Sequence, residues 1–186
     1  MSRLEIERIE ALVTAPQLTD SDKAYIEGFA SSSKRRGEIT AWRTLLRRTL
    51  VEMGHEVEAS NEILYNEVGA PYLVDSKLHI SVSHSSTLVA VVVSSYPCAV
   101  DIESCERDFE RVAKRYATPR ERESFDLAVV WSAKEALYKL SGATGLDLLD
   151  DIKIHSITDN QIDGSIREVH HPLTYTLIDG HVVVYA

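Results

Sequence analysis

Cysteines and long apolar runs are both scarce in this chain. Its 186 residues include only two cysteines, Cys98 and Cys105, and no pair of C-x-x-C motifs. So few cysteines do not indicate a disulfide-rich scaffold or a cysteine zinc site. The longest apolar run is Leu88–Val93, whereas a membrane-spanning helix needs about 20 apolar residues. The first residues alternate in charge without a signal-peptide run. We therefore expect a reduced, cytoplasmic protein with no membrane partner.

The chain also lacks an excess of basic residues. Its 29 acidic and 20 basic residues give a net charge of −9, which argues against a general nucleic-acid binder. The bases are clustered, however, within 15 residues of a predicted helix: Lys34, Arg35, Arg36, Arg43, Arg47 and Arg48. Such a cluster can form a local anion site, or it can be an ordinary solvated helix face. The sequence leaves both interpretations open.

The residue pattern predicts an α+β protein. Leu4, Ile6 and Ile9 fit either a short strand or an amphipathic turn. The order that follows is helices, then strands, then helices, then strands, which suggests two α+β lobes, residues 1–97 and 98–186. The predicted elements are helices over about 20–30, 35–53 and 120–140 (with a possible break near Asp126), a three-stranded antiparallel meander over 77–103, and short strands after Asp151 with turns at Asp159-Asn160, Asp163-Gly164 and Asp179-Gly180.

Two acidic residues end the predicted meander. Asp101 and Glu103 are two residues apart, so in a strand their side chains point to one face, while Val100 and Ile102 point into the core. Adjacent carboxylates repel each other unless a cation lies between them, and hard oxygen ligands favour Mg²⁺ or Ca²⁺. A solvated edge strand explains the same pattern. Taken alone, the pair does not separate these interpretations.

A helical stretch offers a third carboxylate. Trp131, Glu135 and Lys139 are spaced by four residues and share one helix face, and Lys134 is about 100° round the helix from Glu135. The alternative is a surface ion pair that needs no function. If Glu135 faces the two strand acids, the group suits Mg²⁺ bound to a phosphate ester, with lysines beside it.

Together these stretches resemble the two motifs of the 4′-phosphopantetheinyl transferase superfamily. Cys98 to Glu103 resembles its (V/I)-G-(V/I)-D-x-E motif, and Trp131 to Lys139 matches its (F/W)-(S/T/C)-x-K-E-(A/S)-x-x-K motif at every defined position. The likeness extends over roughly residues 30–150 and is closest to the two-lobed, surfactin-type branch. Further stretches that resemble the family are the basic helix, Ile80 to Ser85, Gly69-Ala70-Pro71 and Thr118 to Glu121.

The resemblance implies a fold, a reaction and partners. The fold would be two similar α+β lobes related by a pseudo-twofold axis, with the active site at their interface and the chain acting as a monomer. The enzyme would be a holo-[acyl-carrier-protein] synthase type of transferase. It would move the phosphopantetheine arm of coenzyme A to a serine of an apo acyl or peptidyl carrier protein, with Mg²⁺, and release adenosine 3′,5′-bisphosphate.

The resemblance also implies roles for individual residues. Asp101, Glu103 and Glu135 would bind the metal, and Glu135, or a metal-bound water beside it, would accept the proton of the carrier serine. Lys139 would contact the phosphates and assist catalysis. The remaining coenzyme A contacts would be Arg36, Arg43, Ser83, His84 and, more weakly, Lys134.

The chain departs from the family pattern at three points. Ala99 replaces a glycine, Ala70 replaces a turn lysine, and the N-terminal segment is short. The loss of the lysine removes a phosphate contact, so we expect an active enzyme with weaker coenzyme A binding. The alternative is a non-catalytic relative that binds coenzyme A or a carrier protein without transfer. A more distant alternative is a Mg²⁺-dependent phosphohydrolase.

Overall fold

The protein has mixed helices and antiparallel sheets. The computed structural model describes residues 2–28, 32–56 and 62–186, and these carry an α+β fold in which every described strand pair is antiparallel. The chain divides into two compact units, Met1–Cys98 and Ala99–Ala186, called here the N-terminal and C-terminal units. Each unit encloses its own cluster of buried apolar side chains.

The N-terminal unit is a small sheet covered by helices. Its elements are β1 (Ser2–Arg8), α1 (Ile9–Thr14), α2 (Asp20–Gly28), α3 (Ser33–Glu52), β2 (Ile63–Tyr65), β3 (Pro71–Leu73), β4 (His79–His84) and β5 (Leu88–Ser94). The sheet order is β1-β5-β4, with β2 and β3 forming a separate pair. Helix α3 packs on this sheet because its apolar stripe, which includes Trp42, Leu46 and Leu50, is buried there.

The prediction that the segment after β5 forms the third strand of the meander is wrong. Strands β4 and β5 do pair as predicted, but the other neighbour of β5 is β1. The segment at Asp101 and Glu103 belongs instead to the sheet of the C-terminal unit. The open question at residues 4–9 is also answered, because the chain is a strand up to Arg8 and a helix from Ile9. Sequence order made the meander the simplest prediction, but strand pairing is decided by packing.

Helix α3 was predicted accurately. It begins after Ser32, whose side chain accepts a hydrogen bond from the backbone N–H of Arg35, a favoured N-cap arrangement. It ends before Gly54, which has a φ of 83°, a conformation that glycine adopts without strain. The preceding helix runs from Asp20 to Gly28. The rest of that prediction, residues 29 and 30, lies outside the described residues.

The C-terminal unit packs a long helix on a five-stranded sheet. Its elements are β6 (Val100–Ser104), a 3₁₀ helix (Glu110–Arg115), α4 (Pro119–Ser124), α5 (Leu127–Ser141), β7 (Ile152–Thr158), β8 (Gln161–Ile166), β9 (Val169–Ile178) and β10 (His181–Tyr185). The sheet order is β6-β10-β9-β8-β7. Its core joins the apolar side of α5 to inward residues of the sheet, among them Ile154, Leu173 and Val184.

Local signals set the limits of α4 and α5. Thr118 and Glu121 form a reciprocal capping box at the start of α4, with a proline at the first position. The break predicted near Asp126 is confirmed, since the Asp126 side chain caps α5 by accepting hydrogen bonds from two backbone N–H groups. Gly142 ends α5 in the left-handed conformation, as predicted.

The turn predicted at Asp163-Gly164 is wrong. Both residues lie inside β8, and the chain reverses after it, where Arg167 has a φ of 55°. Gly164 serves close packing instead of a turn, because a Cβ there would lie 2.7 Å from Leu137 Cδ1 of α5. The turns at Asp159-Asn160 and Asp179-Gly180 are present, each with positive φ. Within the part of the chain that the structure describes, no helix is long and apolar enough to cross a membrane.

Candidate active site

The acidic pair of β6 faces helix α5. Strand β6 pairs with β10 so that Asp101 lies opposite Val184 and Glu103 opposite Val182. Directly opposed residues share a sheet face, and both valines belong to the core under α5. The acids therefore lie on the helix-covered face of the sheet. Asp101 is only 5% exposed, which excludes the solvated edge strand as its explanation.

One face of α5 runs along β6. Lys139 Nζ donates to Asp101 Oδ1 at 2.8 Å and to the Val100 carbonyl oxygen at 2.9 Å. Eight residues earlier on the same helix face, Trp131 Nε1 donates to Glu103 Oε1 at 3.0 Å. Glu135 is midway between these two contacts in the helix. The spacing by four therefore brings a third carboxylate beside the other two.

Two of these three acids, Glu135 and Glu103, have raised pKa values. Burial raises the pKa of Glu135, and the nearby Asp101 charge raises it further, while Lys139 lowers it and Glu103 raises it. Burial and Asp101 also raise the pKa of Glu103, against the opposing charge of Arg107. Charges shift one another's pKa in this way when they are near each other. The set Asp101, Glu103 and Glu135 is called here the acid cluster.

Two side-chain cations are already paired with the acid cluster. Lys139 binds Asp101, and Arg107 Nη1 lies 2.5 Å from Glu103 Oε1. Among the described residues, no group of three or more His, Cys, Asp or Glu side chains is arranged around one metal position. The donor chemistry still fits a hard divalent cation, because carboxylate oxygens are its preferred ligands and a cation relieves their repulsion. Asp101, Glu103 and Glu135 are the residues that would hold it.

Lys134 lies away from the acid cluster. Its side chain is 0% exposed, and its Nζ donates to Glu121 Oε2 and to the carbonyl oxygens of Leu148 and Ile152 at 2.7–3.0 Å. Burial lowers the pKa of this lysine, and Glu121 opposes that effect. All three ammonium donors have partners inside the C-terminal unit. Lys134 thus joins α5 to α4 and β7, and its expected contact with coenzyme A stays a prediction.

Arg43 also lies in a core. It is 1% exposed, its Nη1 donates to Asp22 Oδ1 at 2.6 Å, and its guanidinium lies 4.2 Å from the Tyr25 ring centroid. Arg47 donates to both oxygens of the same carboxylate at 2.8 and 3.0 Å. Two residues of the basic cluster therefore join α3 to α2. Arg43 is therefore used inside the N-terminal unit, and its expected contact with coenzyme A stays a prediction.

Replacing Asp22 with Asn is expected to destabilise the N-terminal unit strongly. Two buried guanidinium groups would lose their counter-charge, which costs about 3–5 kcal/mol. Burial alone would raise the pKa of Asp22, but the hydrogen bonds and charges of Arg47 and Arg43 outweigh burial and lower it. The carboxylate therefore adds stability above the unfolded pKa, about 3.9, and this contribution is lost as pH falls through the lower folded pKa.

Urea unfolding at pH 7 and below pH 4 measures the free energy of unfolding of wild type and of Asp22→Asn. The difference between the two free energies should be smaller at the lower pH. The matched control is Asp20→Asn on the same helix, where the carboxylate is fully exposed and pairs with Lys23; we expect almost no change in stability. Equal stabilities of the two variants at pH 7 would contradict the prediction.

The remaining predicted contacts of the N-terminal unit are accessible. Arg36 is exposed on α3, and Ser83 and His84 are half-buried at the end of β4. His84 Nε2 lies 3.0 Å from Arg35 Nη1. Because arginine can only donate, Nε2 accepts, and Nδ1 carries the proton that points to the Ser85 carbonyl oxygen at 3.3 Å. Both a basic and an acidic side chain therefore lie beside His84, because Glu38 Oε2 is 3.8 Å from the same Nε2.

Sequence reasoning missed two residues of the C-terminal unit. Arg107 follows Glu103 by four residues in a turn, and no motif position marks it. Glu121 is part of a stretch that resembles the family, yet nothing in the sequence shows that it accepts from the Ile154 backbone N–H at 2.7 Å and from Lys134. Its burial gave no local signal. The pairing of Glu121 with the motif lysine is visible only once α4 and α5 are packed together.

The C-terminal unit is similar to a known family. Residues 97–186 match the family model of the 4′-phosphopantetheinyl transferase superfamily, so the C-terminal half of the chain is similar to this superfamily. The match includes the acid cluster, Lys139 and the buried Lys134–Glu121 pair. No curated protein sequence matches the chain.

Proposed function

We propose, from the superfamily match over residues 97–186 and the acid cluster inside it, that this protein is a 4′-phosphopantetheinyl transferase. It moves the phosphopantetheine arm of coenzyme A to a serine of an apo acyl or peptidyl carrier protein. We assign it to the two-lobed, single-chain branch. The observation that carries the proposal is the meeting of Asp101, Glu103 and Glu135 along one face of α5, with Lys139 beside them.

The reaction is a displacement at phosphorus. The carrier serine oxygen forms a bond to the pantetheine-side phosphorus of the diphosphate, and the bond from that phosphorus to the bridging oxygen breaks. Adenosine 3′,5′-bisphosphate leaves with the electron pair, and the serine proton goes to a base. A bound Mg²⁺ ion would supply charge neutralisation on the diphosphate oxygens.

Glu135 is the proposed base. Its raised pKa brings its proton affinity closer to the working pH, which favours general-base catalysis. Glu135 sits between two other acids, so a proton received there relieves repulsion. Lys139, 30% exposed at its side chain, offers an ammonium to the phosphate oxygens. Asp101 holds that ammonium in place.

The N-terminal unit supplies the proposed contacts to the adenosine phosphates. Arg36, Ser83 and His84 remain in this role, and Arg35 joins them because it hydrogen-bonds His84. Ala70 lies exposed in the turn between β2 and β3, where Asn66 accepts a hydrogen bond from its backbone N–H. The turn is therefore built without the family lysine, and we expect coenzyme A to bind more weakly for lack of that charge.

A mass measurement on a carrier protein tests the proposal. Purified protein, Mg²⁺, coenzyme A and an apo carrier are expected to give a carrier heavier by one phosphopantetheine arm, and a chelator is expected to prevent the change. A known transferase with the same carriers is the positive control. If that enzyme modifies several carriers and this protein modifies none, the proposal is wrong. Metal-dependent coenzyme A binding without transfer would then indicate a non-catalytic relative.

A further inference from the structure

Arg107 contacts one carboxylate of the acid cluster. The turn after β6 folds back so that the Arg107 backbone N–H donates to the Ser104 carbonyl oxygen at 3.2 Å. The guanidinium then reaches Glu103 Oε1 at 2.5 Å. That oxygen already accepts the Trp131 indole N–H at 3.0 Å. One oxygen of a predicted metal ligand therefore holds two protein donors.

Aromatic rings hold the guanidinium beside the acid cluster. The Arg107 guanidinium carbon lies 4.6 Å from the Trp131 ring centroid and 5.3 Å from that of Phe109. Tyr116 packs edge-on against Trp131 at 4.9 Å between ring centroids. Stacking favours arginine over these rings independently of the ion pair. Arg107 can thus leave Glu103 and still lie on the aromatic surface.

The charges favour an exchange. The formal charges of the three carboxylates, Lys139 and Arg107 add up to −1. A divalent ion would bring this total to +1. Withdrawal of Arg107 from Glu103 returns the group to neutrality. The Arg107 side chain is 40% exposed, so water hydrates the guanidinium when it leaves Glu103. The free-energy cost of breaking this ion pair is therefore small.

From this geometry we propose that Arg107 is a resident cation that competes with Mg²⁺ for Glu103 and so sets the metal concentration at which the acid cluster fills. The inference rests on the proposed function, because it takes the acid cluster as the metal site. It goes beyond that function by assigning a role to a residue outside both motifs. Arg107 acts through Glu103 and is a positioning residue, not a catalytic one.

Calorimetric titration of the whole chain with Mg²⁺ alone tests the competition without any turnover. Arg107→Ala is expected to bind Mg²⁺ about two- to fivefold more tightly than wild type, the range of an exposed ion pair. The matched control is Arg111→Ala, which removes the same charge from the neighbouring 3₁₀ helix, at an exposed residue. We expect that control to change the affinity by less than about 1.5-fold. Circular dichroism checks that both variants are folded.

Trp131 gives a second readout. The chain has two tryptophans, so Trp42→Phe leaves Trp131 as the only fluorophore of its kind. Mg²⁺ is expected to shift the Trp131 emission as the guanidinium loses its Glu103 partner. The shift should shrink when Arg107→Ala is added, because no cation is then displaced from the ring environment.

The outcomes separate the two proposals. Unchanged or weaker Mg²⁺ binding by Arg107→Ala would show that Arg107 does not compete with the metal. An equal gain in Mg²⁺ affinity in Arg111→Ala would also contradict the proposal, because it would indicate only an effect of the protein's net charge. An emission shift that is the same with and without Arg107 also overturns it. If wild type binds Mg²⁺ but the variants disagree with these expectations, only this inference is wrong. If wild type binds no Mg²⁺ in the absence of coenzyme A, this inference is wrong, whereas the proposed function is decided separately by the carrier mass assay.

Discussion

Glu135→Gln is expected to abolish carrier modification and, at the same time, to stabilise the metal-free protein. General-base catalysis contributes about 10²- to 10⁴-fold, and the glutamine can neither accept the serine proton nor offer a charged ligand. Stability moves the other way because burial and Asp101 raise the pKa of Glu135 in the folded protein. A raised carboxyl pKa means that ionisation opposes folding.

The sign of the pH dependence follows from the same cause. Below the unfolded pKa of glutamate, about 4.3, both wild type and variant are neutral at this position and should be similar in stability. As pH rises through the higher folded pKa, wild type loses stability relative to Glu135→Gln. Thermal unfolding without metal at pH 4 and pH 8 measures this. Mg²⁺ should raise the melting temperature of wild type more than that of the variant.

A control variant that loses the same charge at another position distinguishes an effect of the acid cluster from an effect of net charge. Glu123→Gln removes one negative charge from an exposed position on α4 and should leave both transfer and melting temperature nearly unchanged. A Glu135→Gln protein that modifies the carrier at the wild-type rate would refute the assigned role. A variant less stable than wild type at pH 8 would refute the electrostatic account of the cluster.

Substitutions of the two lysines of the α5 motif are expected to have different effects, because one lowers the stability of the protein and the other lowers its transfer rate. Lys134→Met removes one partner of a fully buried pair with Glu121 and leaves two carbonyl oxygens without their donor. The expected loss is about 3–5 kcal/mol of unfolding free energy. Lys139→Met breaks a partly exposed pair, so its stability cost is about 1 kcal/mol or less. Its transfer rate should fall about 10²- to 10³-fold.

Urea unfolding and the carrier mass assay measure the two effects on the same preparations. The double variant Lys134→Met/Glu121→Gln should be more stable than Lys134→Met alone, because the uncompensated buried charge is gone. The recovery should be partial, since the glutamine amide has one acceptor oxygen for the two backbone N–H groups, of Thr118 and Ile154, that donate to the two oxygens of Glu121. If Lys134→Met is as stable as wild type but inactive, Lys134 contacts substrate after all. Equal stability losses for the two lysine variants would contradict the burial difference between them.

Much of the fold could be predicted because its signals are local. The capping box at Thr118 and Glu121, the Asp126 cap and the glycines that end α3 and α5 act within one helical turn. Strand pairing is not local, and it produced the errors. The sequence predicts that β6 pairs with β5, whereas β6 lies in the other sheet beside β10. It also predicts a turn at Asp163-Gly164, whereas Gly164 lies in β8 against Leu137. No short-range pattern shows which strand will lie beside another.

The candidate site divides in the same way. Sequence alone determined that Asp101 and Glu103 share a strand face and that Trp131, Glu135 and Lys139 share a helix face, because both follow from backbone periodicity. Only the tertiary structure decided that the two faces meet, since that depends on α5 packing on β6. It also decided that Lys134 and Arg43 are buried with Glu121 and Asp22, while Arg107 reaches Glu103. Charge and spacing do not reveal burial, and burial determines whether a cation is free for substrate or needed by the core.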